Sequence, residues 1–110
     1  MKSIIQDERR CFLCRTVTGL DEHHILAGSY KKVAEELGLK VYLCRRCHKR
    51  VQESEADMQK LREIGQLKAM RYYKWTADQF RGVTGMNFLK GEKYEKPDGL
   101  HEYKRKSIDR

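Results

Sequence analysis

Cys11-Phe12-Leu13-Cys14 and Cys44-Arg45-Arg46-Cys47-His48 bracket the stretch that decides how this chain folds. With the doublet His23-His24 between them, residues 11–48 hold all four cysteines and three of the four histidines. Two C-x-x-C pairs separated by tens of residues bring four thiolates around one tetrahedral zinc ion, and thiolate is the ligand a structural zinc prefers. The competing reading is a redox dithiol, but no thioredoxin-like βαβ pattern surrounds either pair. A zinc held for folding alone is the more serious rival to a catalytic reading. Zinc binding supplies folding free energy. A chain of 110 residues that is 39% hydrophobic and 36% charged has need of it, because so little apolar material builds only a small core. With the thiols engaged, the histidines remain for other work, and imidazoles bind catalytic metals and move protons.

Upstream of Cys11, residues 1–10 are polar and read as a short lead-in strand or turn that delivers it. Ile4 and Ile5, followed by Asp7-Glu8-Arg9-Arg10, fall far short of an apolar signal segment, and no stretch approaches membrane-spanning length. The expectation is a cytoplasmic protein with reduced thiols and no membrane partner. Between the cysteine pairs, Leu20 to Ile25 reads as a strand whose alternate side chains face opposite ways. His23 and His24 then lie on different faces unless the backbone bends there. Gly28-Ser29 opens a helix with Ser29 as N-cap, Val33 and Leu37 as an apolar i, i+4 pair, and Gly38 as its terminator. Leu39 to Leu43 is a second strand, and from Cys44 a helix runs through Cys47, His48 and Lys49. The order is β–β–α.

Beyond Glu53, Ser54 with Asp57 resembles a capping box at the start of a longer helix. Met58, Leu61, Ile64, Leu67 and Met70 recur every three residues, so the apolar stripe either rotates slowly around that helix or the helix bends at Gly65. Thr76-Ala77-Asp78-Gln79 is a stronger capping box and predicts a short helix through Phe80 to Gly82. Trp75, Phe80 and Phe88 are expected in the core. From Lys90 onward, dense charge and the single proline, Pro97, read as a flexible tail over residues 90–110 in which His101 and Lys104-Arg105-Lys106 are solvated.

The net charge of +8 and the pI near 9.4 favour a polyanionic partner. The excess is concentrated beside the cysteines and histidines: Lys31, Lys32, Lys40, Arg45, Arg46, Lys49 and Arg50 stand against Glu35 and Glu36. Arg45, Arg46, Lys49 and Arg50, on or just before the helix bearing His48, are candidates for phosphate contact, which positions a nucleic-acid backbone without reading its sequence. A solvated basic face is the other reading of these four.

Glu22-His23-His24-Ile25 followed by Leu43-Cys44-Arg45-Arg46-Cys47-His48 resembles the HNH endonucleases, also called ββα-metal or His-Me finger nucleases. The closer resemblance is to small phage and prophage members with a four-cysteine zinc site. Met1-Lys2-Ser3-Ile4-Ile5-Gln6, Trp75-Thr76-Ala77-Asp78-Gln79-Phe80 and Gly85-Met86-Asn87-Phe88-Leu89 support it. It covers residues 1–89 and implies an α+β fold, with a zinc-stapled ββα-metal core over 8–53 and a helical extension over 54–89. It further implies hydrolysis of DNA phosphodiester bonds to leave 5′-phosphate and 3′-hydroxyl ends. Cys11, Cys14, Cys44 and Cys47 fall on the structural zinc, His23 and His48 on ligands of a catalytic divalent metal, and His24 on the general base. Mg²⁺ or Mn²⁺ suits a site completed by oxygen ligands and water. The resemblance also implies DNA as the partner, with phage or prophage proteins as candidate further partners.

Two departures from the family pattern stand out. Leu39 occupies the place of the asparagine that orients the base histidine, and the further histidine that relatives often carry several residues after the position of His48 is absent there. Glu53 or Glu55 is available as a third ligand instead. These departures favour an alternative function: a non-catalytic zinc-bound nucleic-acid-binding module, or an accessory subunit of a phage DNA packaging or recombination complex. Retention of His24 favours the enzyme, because a binding module needs no base.

Overall fold

Two short strands carry both the histidine doublet and the entry to the second cysteine pair. In the computed structural model, which describes residues 1–89, β1 (Leu20–His24) pairs antiparallel with β2 (Lys40–Cys44). The register sets Leu20 opposite Cys44, His23 opposite Val41 and His24 opposite Lys40. Partners across an antiparallel pair share a face, and neighbours along a strand do not. Asp21, His23, Val41 and Leu43 therefore line one face, and the last three are buried. Glu22, His24, Lys40 and Tyr42 line the other. Residues 90–110, expected above as a flexible tail, lie outside the described residues, as do His101 and the basic run Lys104-Arg105-Lys106.

Four helices complete a small α+β fold among the described residues: α1 (Lys31–Leu37), α2 (Arg45–Glu53), α3 (Glu55–Tyr73) and α4 (Ala77–Thr84). None is long and apolar enough to cross a membrane. The inner sheet face, α2, α3 and α4 enclose a core whose fully buried members include Leu26, Leu39, Val41, Leu43, Val51 and Phe80. Trp75 and Phe88 are partly buried against it. The N-terminal segment covers the free edge of β2. Ser3 Oγ donates to the Lys40 carbonyl at 2.6 Å, and the Tyr42 amide donates to Gln6 Oε1 at 2.8 Å. An edge covered this way offers no template for another strand.

The helix ends follow the local chemistry, with one exception. Ser54 Oγ accepts from the Asp57 amide, and Thr76 and Gln79 form a full capping box. Ser29 is not an N-cap. Residues Gly28–Tyr30 form a 3₁₀ turn, closed by the Tyr30 amide on the Ala27 carbonyl at 3.1 Å, and α1 starts at Lys31 with no side-chain cap. The 3₁₀ turn also carries the Lys31 amide to the Gly28 carbonyl, so an amide that a cap at Ser29 would have served is already satisfied.

α3 runs unbroken through Gly65. That glycine gives Ile25 room: a Cβ there would meet Ile25 Cγ2 at 3.1 Å. The buried positions of α3 are Leu61, Gly65, Gln66, Ala69 and Met70, an ordinary helical stripe, while Leu67 is exposed. Gln66 is fully buried, donating to Asn87 Oδ1 at 2.8 Å and accepting from the Phe88 amide at 2.7 Å. Both ends of its amide are satisfied, which makes a buried glutamine tolerable.

Gly38 fixes the turn between α1 and β2. Its φ of +76° lies in the left-handed region, and a Cβ there would stand 2.5 Å from the Lys2 carbonyl oxygen. Gly38→Ala is expected to destabilise the fold by roughly 1–3 kcal/mol, from backbone strain and displacement of residues 2–4. A thermal melt of the zinc-loaded variant checks this, and an unchanged midpoint would mean that the turn rearranges freely.

Candidate metal centre

The two cysteine turns are built alike. The Cys14 amide points at Cys11 Sγ at 3.4 Å, and the Cys47 amide points at Cys44 Sγ at 3.4 Å. Arg15, at φ +71°, closes the first turn by donating its amide to the Cys11 carbonyl at 2.9 Å. The second turn is the start of α2, where Cys44 acts as N-cap through its sulfur. The Phe12 amide donates to the Tyr42 carbonyl at 2.8 Å, which ties the first turn to β2.

All four sulfurs lie within 4.8 Å of one another, and Cys14 Sγ is 3.7 Å from Cys44 Sγ. Four sulfurs each about 2.3 Å from one tetrahedral ion stand about 3.8 Å apart, so the donor set fits a structural zinc. Cys11, Cys44 and Cys47 are buried and Cys14 is exposed. For Cys11, burial opposes the thiolate, but amide hydrogen bonds outweigh it and hold the thiol well below its ordinary value. Amide donation, with the Cys47 amide foremost, also lowers Cys44, while burial and the neighbouring sulfurs push Cys47 up. Ionising all four together needs a cation among them.

The histidines divide between the two sheet faces. His23 is buried on the inner face, its Nε2 has no hydrogen-bond partner, and its ring lies edge-on to His48 with centroids 5.2 Å apart. Burial, reinforced by the charges of His48, His24 and Arg62, lowers its pKa to about 4, so the ring is neutral at physiological pH. A buried ring nitrogen without a partner costs free energy and calls for an explanation, and a bound cation is one. His48, partly buried on α2, has Nδ1 3.3 Å from Asp21 Oδ2. A carboxylate accepting from Nδ1 leaves the lone pair on Nε2, where the side-chain amide of Gln52 stands 3.5 Å away. His23 and His48 thus form a pair of facing rings on the inner side of the sheet, with Asp21 behind His48.

His24 is not brought together with His23 and His48. It lies on the outer face, where Nε2 is 2.8 Å from Glu35 Oε1. Lys40 Nζ is 3.1 Å from each Glu35 oxygen and 3.4 Å from Glu22 Oε2. His24, the terminal amine of Met1 and Lys40 hold the Glu35 carboxyl down to about 2, the hydrogen bond from His24 contributing most. Glu22, His24 and Glu35 are close enough to suggest a metal site, but the Lys40 ammonium already serves as their cation.

Glu55 bonds Arg62 at 3.1 Å and Glu53 is exposed on the last turn of α2. The carboxylate found beside His48 is Asp21. Sequence reasoning misses Asp21 and the contact made by Glu35. A clue to Asp21 exists, since a residue two before His23 on a strand shares its face. Arg45, Arg46, Lys49 and Arg50 are exposed on α2, opposite the buried Cys47 and Val51. Arg50 is 3.8 Å from Asp57.

Residues 8–62, half of the 110, match the family described as "Uncharacterized protein conserved in bacteria (DUF2197)". The matched segment spans both cysteine turns, both strands, α1, α2 and the first part of α3. No curated protein and no solved structure matches the chain.

Proposed function

Because the chain belongs to the DUF2197 family, whose description assigns no activity, we propose its function from the chemistry of its own residues. It is a metal-dependent endonuclease of the HNH type, a zinc-stapled ββα-metal domain that hydrolyses DNA phosphodiester bonds. The observation that carries this reading is the buried, unpartnered Nε2 of His23 beside His48, on the strand and helix of a β–β–α unit held by four cysteines.

In this reading His23 and His48 hold a divalent ion, Mg²⁺ or Mn²⁺, with Asp21 orienting His48 through Nδ1. When bound, such an ion supplies Lewis-acid stabilisation of charge on the phosphate and the leaving oxygen. His24 takes the proton from the attacking water. Arg45, Arg46, Lys49 and Arg50 hold the phosphate backbone beside the site.

A nicking assay on supercoiled plasmid with Mg²⁺, Mn²⁺, Ni²⁺ or EDTA tests the proposal. Metal-dependent nicking that His24→Ala abolishes is the expected result, and no nicking with any metal overturns it. The second reading is a non-catalytic zinc-bound nucleic-acid-binding module, alone or within a phage packaging or recombination complex. Placement of His24 on the face opposite His23 and His48 favours it.

Both readings require DNA binding through the exposed face of α2. The double variant Arg46→Ala/Lys49→Ala is expected to weaken binding about equally for all sequences. It should also reduce the slope of log affinity against log salt by about 2. Fluorescence anisotropy across a salt series measures this, and an unchanged slope assigns the two residues to solvent.

A further inference from the structure

Leu39 stands where the resemblance places the residue that orients the base histidine, and it is wholly buried in the core. Another residue meets His24. α1 ends at Gly38, and the left-handed turn there brings the chain back into β2 with Glu35 lying over the outer face of the sheet. Glu35 Oε1 is 2.8 Å from His24 Nε2 and 3.1 Å from Lys40 Nζ. Glu35 Oε2 is 3.1 Å from Lys40 Nζ and 3.0 Å from the Met1 amine, and Glu22 faces Lys40 from β1. Lys40 pairs with His24 across the hairpin, so the ammonium that fixes the carboxylate is itself fixed relative to the imidazole.

An ionised carboxylate only accepts hydrogen bonds, so the contact with His24 requires the proton to be on Nε2. We propose that Glu35 is a positioning residue that locks His24 in the Nε2–H tautomer and leaves the Nδ1 lone pair as the proton acceptor. The catalytic use of this arrangement rests on the nuclease reading. The tautomer does not. In the reaction, Nδ1 takes a proton from water as the water oxygen bonds to phosphorus and the bond to the 3′ oxygen breaks. That oxygen is protonated by solvent, and Glu35 keeps its negative charge opposite the imidazolium, as in other carboxylate–histidine pairs.

Nitrogen NMR of the imidazole rings in the zinc-loaded full chain tests the assignment, with the His24 signals identified by their loss in His24→Gln. Wild type is expected to show a single Nε2–H tautomer at His24. Glu35→Ala should give a mixture of tautomers, retain its zinc, and nick plasmid roughly tenfold more slowly or worse. Glu35→Gln keeps an oxygen at the Oε1 position that can accept from both His24 and Lys40, so it should restore the tautomer and part of the rate. A purely structural role for Glu35 would leave the tautomer unmoved. An Nδ1–H tautomer in wild type, or an unchanged tautomer in Glu35→Ala, overturns the proposal. A tautomer that shifts as described in a protein that never nicks DNA upholds the positioning role and overturns the nuclease reading instead.

Discussion

Cys14→Ser or Cys44→Ser is expected to release one equivalent of zinc and unfold most of the core over residues 8–53. The two residues belong to different turns, and their sulfurs are only 3.7 Å apart. A cation between them joins the lead-in segment before β1 to the start of α2. Binding free energies for structural zinc are on the order of 10 kcal/mol, whereas a whole small domain is stable by roughly 5–15 kcal/mol. Losing the ion therefore removes an amount comparable to the entire stability, and a core as small as this one has little to set against it. The buried sulfurs left behind repel one another and lack solvation if ionised, and must take up protons otherwise. Metal analysis of the purified variant, followed by far-ultraviolet circular dichroism during heating, measures both effects. Metal-free protein that melts cooperatively at the wild-type temperature would show the staple to be dispensable.

The second large effect concerns the adjacent histidines. If the protein is the nuclease proposed above, His24→Ala should reduce cleavage by roughly 10²–10⁴-fold, the usual contribution of a general base, while leaving DNA binding and the proposed second metal nearly intact. Removing His24 does not touch the His23–His48 contact, because the two lie across the sheet from it. His23→Ala and His48→Ala should instead weaken the second metal, with partial rescue at raised Mn²⁺. The four-cysteine ion should survive all three changes, since on the proposed nuclease reading thiolates and imidazoles serve separate ions. Calorimetric titration of Mn²⁺ into each zinc-loaded variant, alongside cleavage rates, separates the roles. Lost metal affinity in His24→Ala with retained affinity in His23→Ala would exchange the two assignments. A wild-type protein inert with every metal would leave the binding module.

The parts of this structure that could be read from sequence are those where few residues decide the outcome. Two C-x-x-C spacings fix which side chains must converge, and Thr76 with Gln79 specifies a helix start without help from the rest of the chain. The alternation of β1 likewise follows from strand geometry, so the separation of His23 from His24 is legible in the chain alone. What could not be read depended on long-range packing. The inward stripe of α3 includes Gly65, there because Ile25 needs the space, and Gln66, there because Asn87 and Phe88 satisfy its amide. Neither counts as apolar in a periodicity analysis, which is why the apolar residues alone recur every three positions. Glu35 was hidden for a similar reason: its contact with His24 exists only once Gly38 has folded α1 back against the hairpin.

Cys14 differs from its three partners in facing solvent. Chelators and oxidants thus have a ready approach to the cluster at this sulfur, and attack elsewhere requires the fold to open first. Peroxide would convert Cys14 to a sulfenic acid, which condenses with a neighbouring thiol, and Cys44 Sγ is the sulfur 3.7 Å away. The resulting disulfide would expel the ion while still bridging the two turns. Oxidative damage to this protein is therefore expected to separate loss of metal from loss of shape, two events that a serine substitution at the same position cannot separate.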